Sequence, residues 1–306
     1  QDPPFLDDDI SGPLANVQDQ RVEARVVERP GDGMERVALQ ADGVAGQLPV
    51  AMVGRDAEHA FAAGLPAKIL SLILKIPVVY TVHGSHLMDV HASGPKAWLE
   101  KFLLTRIPYT HQISVTRSFL KYPNVNKNIS VVNNGVDIKA FDEIKVKKNN
   151  KFTLLYVGRD HPTKGLHILR AAFAAVLKQY PHIKLQIITG LTGNRLIQAY
   201  KQAHAFVLPS LVEGQPLALI EAWAAKLPVI ATKTAGVTEI ATSYTAILVD
   251  PGSVSQLHQA LIKLLRLSPQ QRQDLALAGY RQARQLTWVK TASQIISVYE
   301  QVSSSR

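Results

Sequence analysis

Two glutamates, Glu213 and Glu221, interrupt an otherwise apolar stretch of the chain, PSLVEGQPLALIEAWAA (209–225). A carboxylate in apolar surroundings needs hydrogen-bond partners, because burying an unpaired charge is strongly unfavourable. The hydroxyl groups of a long polyol ligand would supply such partners to both acids. Two simpler interpretations stay open from these residues alone: Glu213 could stabilise a helix dipole, and Glu221 could occupy an exposed helix position.

Two cations, Arg159 and Lys164, occur in the segment YVGRDHPTKG (156–165). The apolar run before them predicts a buried strand, and the amphipathic run after them predicts a helix. A loop between such elements lies at the carboxyl end of the sheet, where open α/β sheets bind ligands. A guanidinium and an ammonium at that place suit a diphosphate, although basic loop residues are also common as a solvated surface.

The two glutamates flank a predicted helix start. AFVLPS predicts a strand and PLALIEAWAAK a helix, with Pro216 as the first helical residue. The amides of Leu217 and Ala218 would then be unpaired donors at the positive end of the helix dipole, an arrangement that binds anions. The helix is apolar nearly all round, so Glu221 is expected to be buried there.

The elements that would position these residues form a regular pattern. From residue 150 onward, short apolar strands alternate with amphipathic helices, which predicts a doubly wound α/β domain with a parallel sheet. Ser253 and Ser268, each with a glutamine three residues later, predict helix N-caps. In the first half, a strand is predicted at 24–27, a helix at 34–45, and a strand with a glycine-containing loop at 77–85.

Composition limits the classes of protein that fit. The 306 residues are 46% hydrophobic, include no cysteine, and contain no apolar run of the length a membrane span needs. No signal peptide is recognisable, so a soluble cytoplasmic protein is expected. The net charge of +10 indicates an anionic partner such as nucleotide phosphates or an anionic membrane. Nucleic acid is disfavoured, because the basic residues are scattered and only 7% of residues are aromatic.

A basic amphipathic segment, GPKAWLEKFLLTRIPY (94–109), bears on the membrane question. It combines lysine and arginine with tryptophan, phenylalanine and leucine. Such a helix can lie against the inner face of an anionic membrane, or it can pack its apolar face on its own domain.

The motifs together resemble the retaining GT-B glycosyltransferases of the GT4 type (glycosyl transferases group 1). The resemblance rests on the E-x7-E pair, the preceding arginine and lysine, VVNNGVD (131–137), and VVYTVHGS (78–85). GDGMERVALQ is a weaker match to the family's glycine loop and first helix. The resemblance covers about residues 66–303 well and the first 65 poorly. Relatives have a further helix and strand near residues 190–191, and an aromatic residue is common where this chain has Gln215.

The resemblance implies a function and a set of site residues. It implies a retaining, hexosyl- or N-acetylhexosaminyl-type transferase for polysaccharide or glycoconjugate biosynthesis, with a UDP- or GDP-sugar donor and no metal or other cofactor. The acceptor would be a glycan, a lipid-linked molecule or a small molecule. Glu221 would bind the ribose, and the remaining donor-site residues would contact the sugar and phosphates: Arg159, Lys164, Glu213, Gly214, Gln215, Pro216 and Leu217. His83, Arg159, Lys164 and Glu213 are the expected catalytic residues.

The resemblance also implies two Rossmann-like domains that face each other across a cleft. Residues 1–144 would form the acceptor-side domain, 145–287 the donor domain, and helix 288–306 would cross back to the first. Other classes stay open: a non-catalytic sugar-nucleotide-binding subunit or sensor, and a GT-B sugar-nucleotide epimerase or phosphorylase.

Overall fold

The structure is a computed structural model that describes residues 22–28, 35–41, 50–54, 65–83, 93–123 and 126–304. The chain separates into two compact units, Gln1–Gln47 and Leu48–Arg306. Of the expected site, Gly84 to Ala92 lie outside the described residues, and so does most of the stretch before residue 65.

The first unit contains an antiparallel hairpin of β1 (Val22–Glu28) and β2 (Glu35–Ala41). The strand predicted at 24–27 is confirmed within β1. The helix predicted at 34–45 is wrong, and with it the match to the family's glycine loop and first helix. Val37, Leu39 and Ala41 recur with a period of two, which is the period of a strand, and each pairs across the hairpin with a residue of β1.

The second unit contains two parallel sheets. The first sheet has the order β3-β4-β5-β6, and the second has the order β11-β10-β9-β7-β8. The strands are β3 (Val50–Gly54), β4 (Val78–Val82), β5 (His111–Ser114), β6 (Ile129–Val131), β7 (Thr153–Val157), β8 (Lys184–Ile188), β9 (Ala205–Leu208), β10 (Val229–Thr232) and β11 (Ile247–Val249). The predicted parallel α/β architecture is confirmed.

Helices connect and cover these strands, and from residue 150 onward they follow the predicted alternation of strands and helices. They are α1 (Leu65–Leu74), α2 (Pro95–Arg106), α3 (Ile138–Glu143), α4 (Leu166–Leu177), α5 (Gly193–Gln202), α6 (Leu217–Ala224), α7 (Ala235–Ile240), α8 (Val254–Arg266), α9 (Pro269–Ala283) and α10 (Trp288–Ser304), with 3₁₀ helices at Arg117–Lys121 and Pro162–Lys164. The predicted N-caps are confirmed: Ser253 begins α8, and Ser268 forms a capping box with Gln271 at the start of α9.

The inner strands of the second sheet, β7, β9 and β10, are buried on both faces, whereas the edge strand β8 is partly exposed. Successive residues of a strand point to opposite faces, and Leu155 and Phe206 belong to one hydrophobic cluster while Leu154 and Val207 belong to another. This arrangement explains why the strands are continuous apolar runs rather than alternating ones.

The last helix, α10, packs on the first sheet. Val298 and Val302 of α10 form a buried cluster with Val79, Ile113 and Val132, which lie in or directly after β4, β5 and β6. The polypeptide therefore passes from the first sheet to the second after β6 and returns after α9. Among the described residues, no helix is long and apolar enough to cross a bilayer.

Candidate functional site

The two candidate loops follow adjacent strands at the centre of the second sheet. β7 pairs with β8 on one side and with β9 on the other, so the chain order reverses between β7 and β9. Reversals of this kind open a crevice at the carboxyl ends of the strands, because the helices that follow the two strands cover opposite faces. The β7–α4 loop (158–165) and the β9–α6 loop (209–216) border that crevice.

The two loops touch through their backbones. The amide of Leu211 donates to the carbonyl of Thr163 at 2.7 Å. Gly165 has φ of 66° and is the N-cap of α4, and a Cβ there would lie 2.0 Å from the carbonyl oxygen of Pro209. Only glycine fits this left-handed, closely packed position, so the sequence feature that permits the contact is Gly165.

This contact brings Lys164 and Glu213 together. The Lys164 ammonium lies 2.9 Å from Oε1 of Glu213, and the hydroxyl of Ser210 donates to the same oxygen at 2.7 Å. The Glu213 side chain is 10% exposed and the Lys164 side chain 26% exposed. The acid is thus held by two donors while the cation still reaches the crevice. Sequence reasoning placed both residues at the site but missed their pairing and the role of Ser210.

Arg159 lies on the exposed part of the β7–α4 loop. The hydroxyl of Tyr156 donates to the backbone carbonyl of Arg159 at 2.8 Å, which fixes the loop where it leaves the strand. Burial, with smaller contributions from Asp160 and Glu213, raises the pKa of Tyr156 to about 12, so the phenol stays protonated and able to donate. Tyr156 thus supports the β7–α4 loop, although in the sequence it looks like an ordinary buried strand residue.

The start of α6 is partly exposed. Pro216 is the N-cap, with extended backbone angles, so the helix begins one residue later than predicted, at Leu217. No side chain caps this helix, and the Leu217 and Ala218 amides belong to its first turn, where intrahelical acceptors are missing. The loop before α6 is also contacted by α7, because the Gly236 amide donates to the Glu213 carbonyl at 3.2 Å.

Glu221 lies one turn further along α6 and is half-buried. The hydroxyl of Tyr200, at the end of α5, donates to Oε2 of Glu221 at 2.8 Å. Complete burial of Tyr200, together with the Glu221 charge, raises the pKa of the phenol well above its usual value. The neutral phenol is therefore the partner that an acid on this apolar helix needs. The sequence indicated the need for a partner but not its identity.

Gln215 connects the β9–α6 loop to the first crossover between the sheets. Its side chain is 7% exposed, and its Oε1 accepts a hydrogen bond from the backbone amide of Asn134. The neighbouring Asn133 carbonyl accepts from Thr291 of α10 at 2.7 Å, and the Val136 amide donates to the Leu286 carbonyl at 3.0 Å. The side-chain oxygen of Gln215 is thus engaged with the crossover.

His83 follows β4 directly and is half-buried at the carboxyl end of the first sheet. The rest of its loop lies outside the described residues, so its catalytic role stays a prediction from the resemblance. In the described ranges, no group of three or more His, Asp or Glu side chains is placed to hold a metal ion.

The chain is similar to known proteins over this site and beyond it. Residues 186–282 match the family described as glycosyl transferases group 1. An uncharacterized glycosyltransferase of Methanocaldococcus jannaschii is 24% identical over 80% of this chain and 74% of its own length. A galactosyltransferase of Escherichia coli that acts on GlcNAc-diphosphoundecaprenol is 28% identical over 58% of this chain and 57% of its own length. Seven curated relatives are matched over only 47% to 65% of their length.

Solved structures share the fold. The HepE protein of Anabaena, solved in complex with UDP-glucose, superimposes with a TM-score of 0.67 at 19% identity, and the match covers 82% of this chain and 78% of that one. At such low identity the likeness concerns the fold, which is two Rossmann-like α/β halves.

Proposed function

We propose that this chain, which belongs to the glycosyl transferases of group 1 (the GT4 type) and has the GT-B fold, transfers a hexosyl or N-acetylhexosaminyl group from a nucleotide-diphosphate sugar to an acceptor hydroxyl with retention of the anomeric configuration. The observation that supports this most is the joined pair of loops at the reversal of strand order. There Lys164 and Glu213 lie together before the uncapped start of α6, and Glu221 lies one turn further along that helix. The HepE structure with UDP-glucose supports a UDP-sugar as the first donor to test.

The proposed roles follow from position and charge. The Lys164 ammonium, the Arg159 guanidinium and the amides of Leu217 and Ala218 stabilise the negative charge that develops on the leaving diphosphate. These donors are held in place before the reaction by the contact between the loops, so little reorganisation is needed. Glu221 accepts hydrogen bonds from the ribose hydroxyls, while Glu213 and the following backbone orient the sugar. Glu213 acts by positioning, because Lys164 and Ser210 already engage its carboxylate.

The function is tested by incubating the protein with a panel of UDP- and GDP-hexoses, in buffer with and without a chelator. Release of nucleoside diphosphate without an acceptor, by slow transfer to water, is expected with one donor and is expected to persist in the chelator. With an acceptor alcohol present, the anomeric configuration of the glycoside formed, read by NMR, should match that of the donor. Donor binding without any turnover would favour a sensor or inactive subunit, and conversion of the donor to an isomer without nucleotide release would favour an epimerase.

Glu221→Ala should weaken donor binding about 10- to 100-fold, because the ribose loses a hydrogen bond to a charged acceptor, which is worth about 1.5–3 kcal/mol. Calorimetric titration with the donor or with the nucleoside diphosphate measures this. Glu300→Ala removes an exposed acid of α10 and serves as the matched control. Unchanged affinity in Glu221→Ala would contradict the assignment of this residue to the ribose.

The acceptor side suggests a membrane partner. On α2, Trp98 and Phe102 are 65% and 46% exposed and stack with ring centroids 5.6 Å apart, whereas Ala97 and Leu103 are buried. Arg106 lies one turn beyond Phe102 and is also exposed. The helix therefore buries part of its apolar surface and presents two aromatic rings beside basic charge, which suits an anionic membrane interface and a lipid-linked acceptor.

Flotation with vesicles that contain anionic phospholipid is expected to carry the protein upward, and Trp98→Ser with Phe102→Ser should lower the partition coefficient about 10-fold. Tyr244→Ser, which removes an aromatic side chain that is 81% exposed elsewhere, is the control. Equal flotation of the two variants, or no flotation of the unmodified chain, would overturn the membrane proposal without touching the proposed transferase activity.

A further inference from the structure

Glu239, near the end of α7, links the half of the molecule that contains the second sheet to the half that contains the first sheet. Its carboxylate accepts four hydrogen bonds from three consecutive residues that follow β5. Oε1 accepts from the Thr116 hydroxyl at 2.5 Å, from the Ser118 amide at 2.6 Å and from the Ser118 hydroxyl, and Oε2 accepts from the Arg117 amide at 2.8 Å. Glu239 is not among the donor-site residues that the resemblance implies.

The other end of α7 lies against the β9–α6 loop. The Gly236 amide donates to the Glu213 carbonyl, and the α-carbon of Gly236 lies so close to Gly214 that a Cβ would fall 1.5 Å from the Gly214 carbonyl oxygen. Gly236 and Glu239 are three residues apart in α7, so these two contacts are separated by about 4.5 Å along the axis of one short helix. The helix is therefore a direct link from the loop that contains Glu213 to the first half of the chain.

The segment that Glu239 binds is itself well fixed. Thr116 is buried, and its hydroxyl accepts from the Ser118 amide at 3.2 Å, while the Ser114 hydroxyl donates to the Thr116 carbonyl at 2.8 Å. Ser114 is paired with Val82 in the first sheet, and His83 follows Val82 directly. The contact thus attaches α7 one strand away from the histidine that the resemblance places at the acceptor side.

We propose that Glu239 is a positioning residue for the transfer reaction. By its hydrogen bonds to residues 116–118, it sets the separation between the β9–α6 loop and the carboxyl ends of β4 and β5. The inference rests on the proposed function, since it assigns that separation to the alignment of acceptor and donor. Partial burial raises the pKa of Glu239, but hydrogen bonds from Ser118, Thr116 and Arg117 outweigh this effect and hold the pKa below the usual value. The carboxylate is accordingly charged at neutral pH and accepts all four bonds.

A kinetic split tests the proposal. Glu239→Ala should lower kcat for transfer at least about 10-fold while the donor Kd changes less than about twofold, because the donor-binding side chains are untouched and only their alignment with the acceptor is lost. Glu239→Gln should be intermediate, because its amide keeps one acceptor oxygen. Asp274→Ala removes an exposed acid of α9 and should leave both constants unchanged.

Variants of the residues that donate to Glu239 provide a second test, in which the part of the chain with the second sheet is unchanged. Thr116→Val with Ser118→Ala removes both hydroxyl donors and should reproduce most of the loss in kcat. Combining these changes with Glu239→Ala should add little, because residues that act through one contact are not additive. Full additivity, or a loss confined to the donor Kd, would overturn the proposal.

A distance measurement separates failure of this inference from failure of the proposed function. The chain contains no cysteine, so Lys127→Cys in the first half and Gln259→Cys in α8 provide a unique pair of spin labels. Pulsed electron-spin distance measurement should give a broader or longer distribution in Glu239→Ala than in the unmodified protein, whether or not any sugar is transferred. An unchanged distance distribution would overturn the positioning role of Glu239 even if the enzyme is active.

Discussion

Lys164→Ala should lower the turnover of sugar transfer by about 10²- to 10³-fold, which is the usual effect of removing one preorganised donor to a developing negative charge. The Lys164 ammonium is the cation that the contact between the β7–α4 and β9–α6 loops brings to the crevice, within 2.9 Å of Glu213. Initial rates of nucleoside diphosphate release, at saturating donor, measure the loss. Lys178→Ala, at the exposed end of α4, is the matched control.

The variant has a second consequence that must be separated from the first. The Glu213 side chain is only 10% exposed. Without Lys164, its Oε1 atom still accepts a hydrogen bond from Ser210 but has lost the ammonium that neutralised it. The free energy of unfolding should therefore fall by about 1–3 kcal/mol. Adding Glu213→Ala removes the stranded charge, so the double variant should regain stability without regaining turnover. Recovery of activity in the double variant would show that Lys164 serves only to neutralise Glu213.

Gly236→Ala should impair the site through the backbone rather than through a functional group. A Cβ at this position would lie 1.5 Å from the Gly214 carbonyl oxygen, so either α7 or the β9–α6 loop has to move by more than 1 Å or so. A misplacement of about 1 Å in a catalytic site can cost about 10²-fold in rate. We also expect about 1–3 kcal/mol of destabilisation from overpacking.

Steady-state kinetics and thermal unfolding measure the two effects of Gly236→Ala. Ala235→Ser is the matched control, because it also adds one atom to the first turn of α7 but at an exposed position. Unchanged turnover in Gly236→Ala would mean that the loop tolerates displacement, and would argue against a rigid link through α7.

The residues at the site were predictable from sequence to different degrees, and the reasons are physical. The strand–loop–helix order that places Arg159, Lys164, Glu213 and Glu221 at one edge of a sheet depends on local periodicity, which the sequence displays directly. The pairing of Lys164 with Glu213 depends on β7 and β9 being neighbours although β8 lies between them in the chain. Local patterns contain no information about that adjacency.

The partners of the site residues were missed for the same reason. Tyr156 and Tyr200 look like ordinary buried residues of a strand and a helix, and their hydroxyl contacts become visible only when the elements are packed. The wrong helix at 34–45 is a related case. A short run such as ERVALQA fits either period, and its pairing with β1 is what makes it a strand.

The chain crosses between the two sheets twice, after β6 and after α9, so the two halves differ in how they can be exchanged as units. The part of the chain that forms the second sheet is one uninterrupted segment, whereas the first sheet (β3 to β6) is covered by α10, which comes after the second crossover. At the junction the two passages lie side by side, so closely that a Cβ on Gly135 would fall 2.2 Å from the Trp288 amide nitrogen. A chimera that exchanges donor specificity should therefore be built as a cassette inserted between these two passages. Cutting the gene once after the first crossover would instead separate the first half from its own last helix.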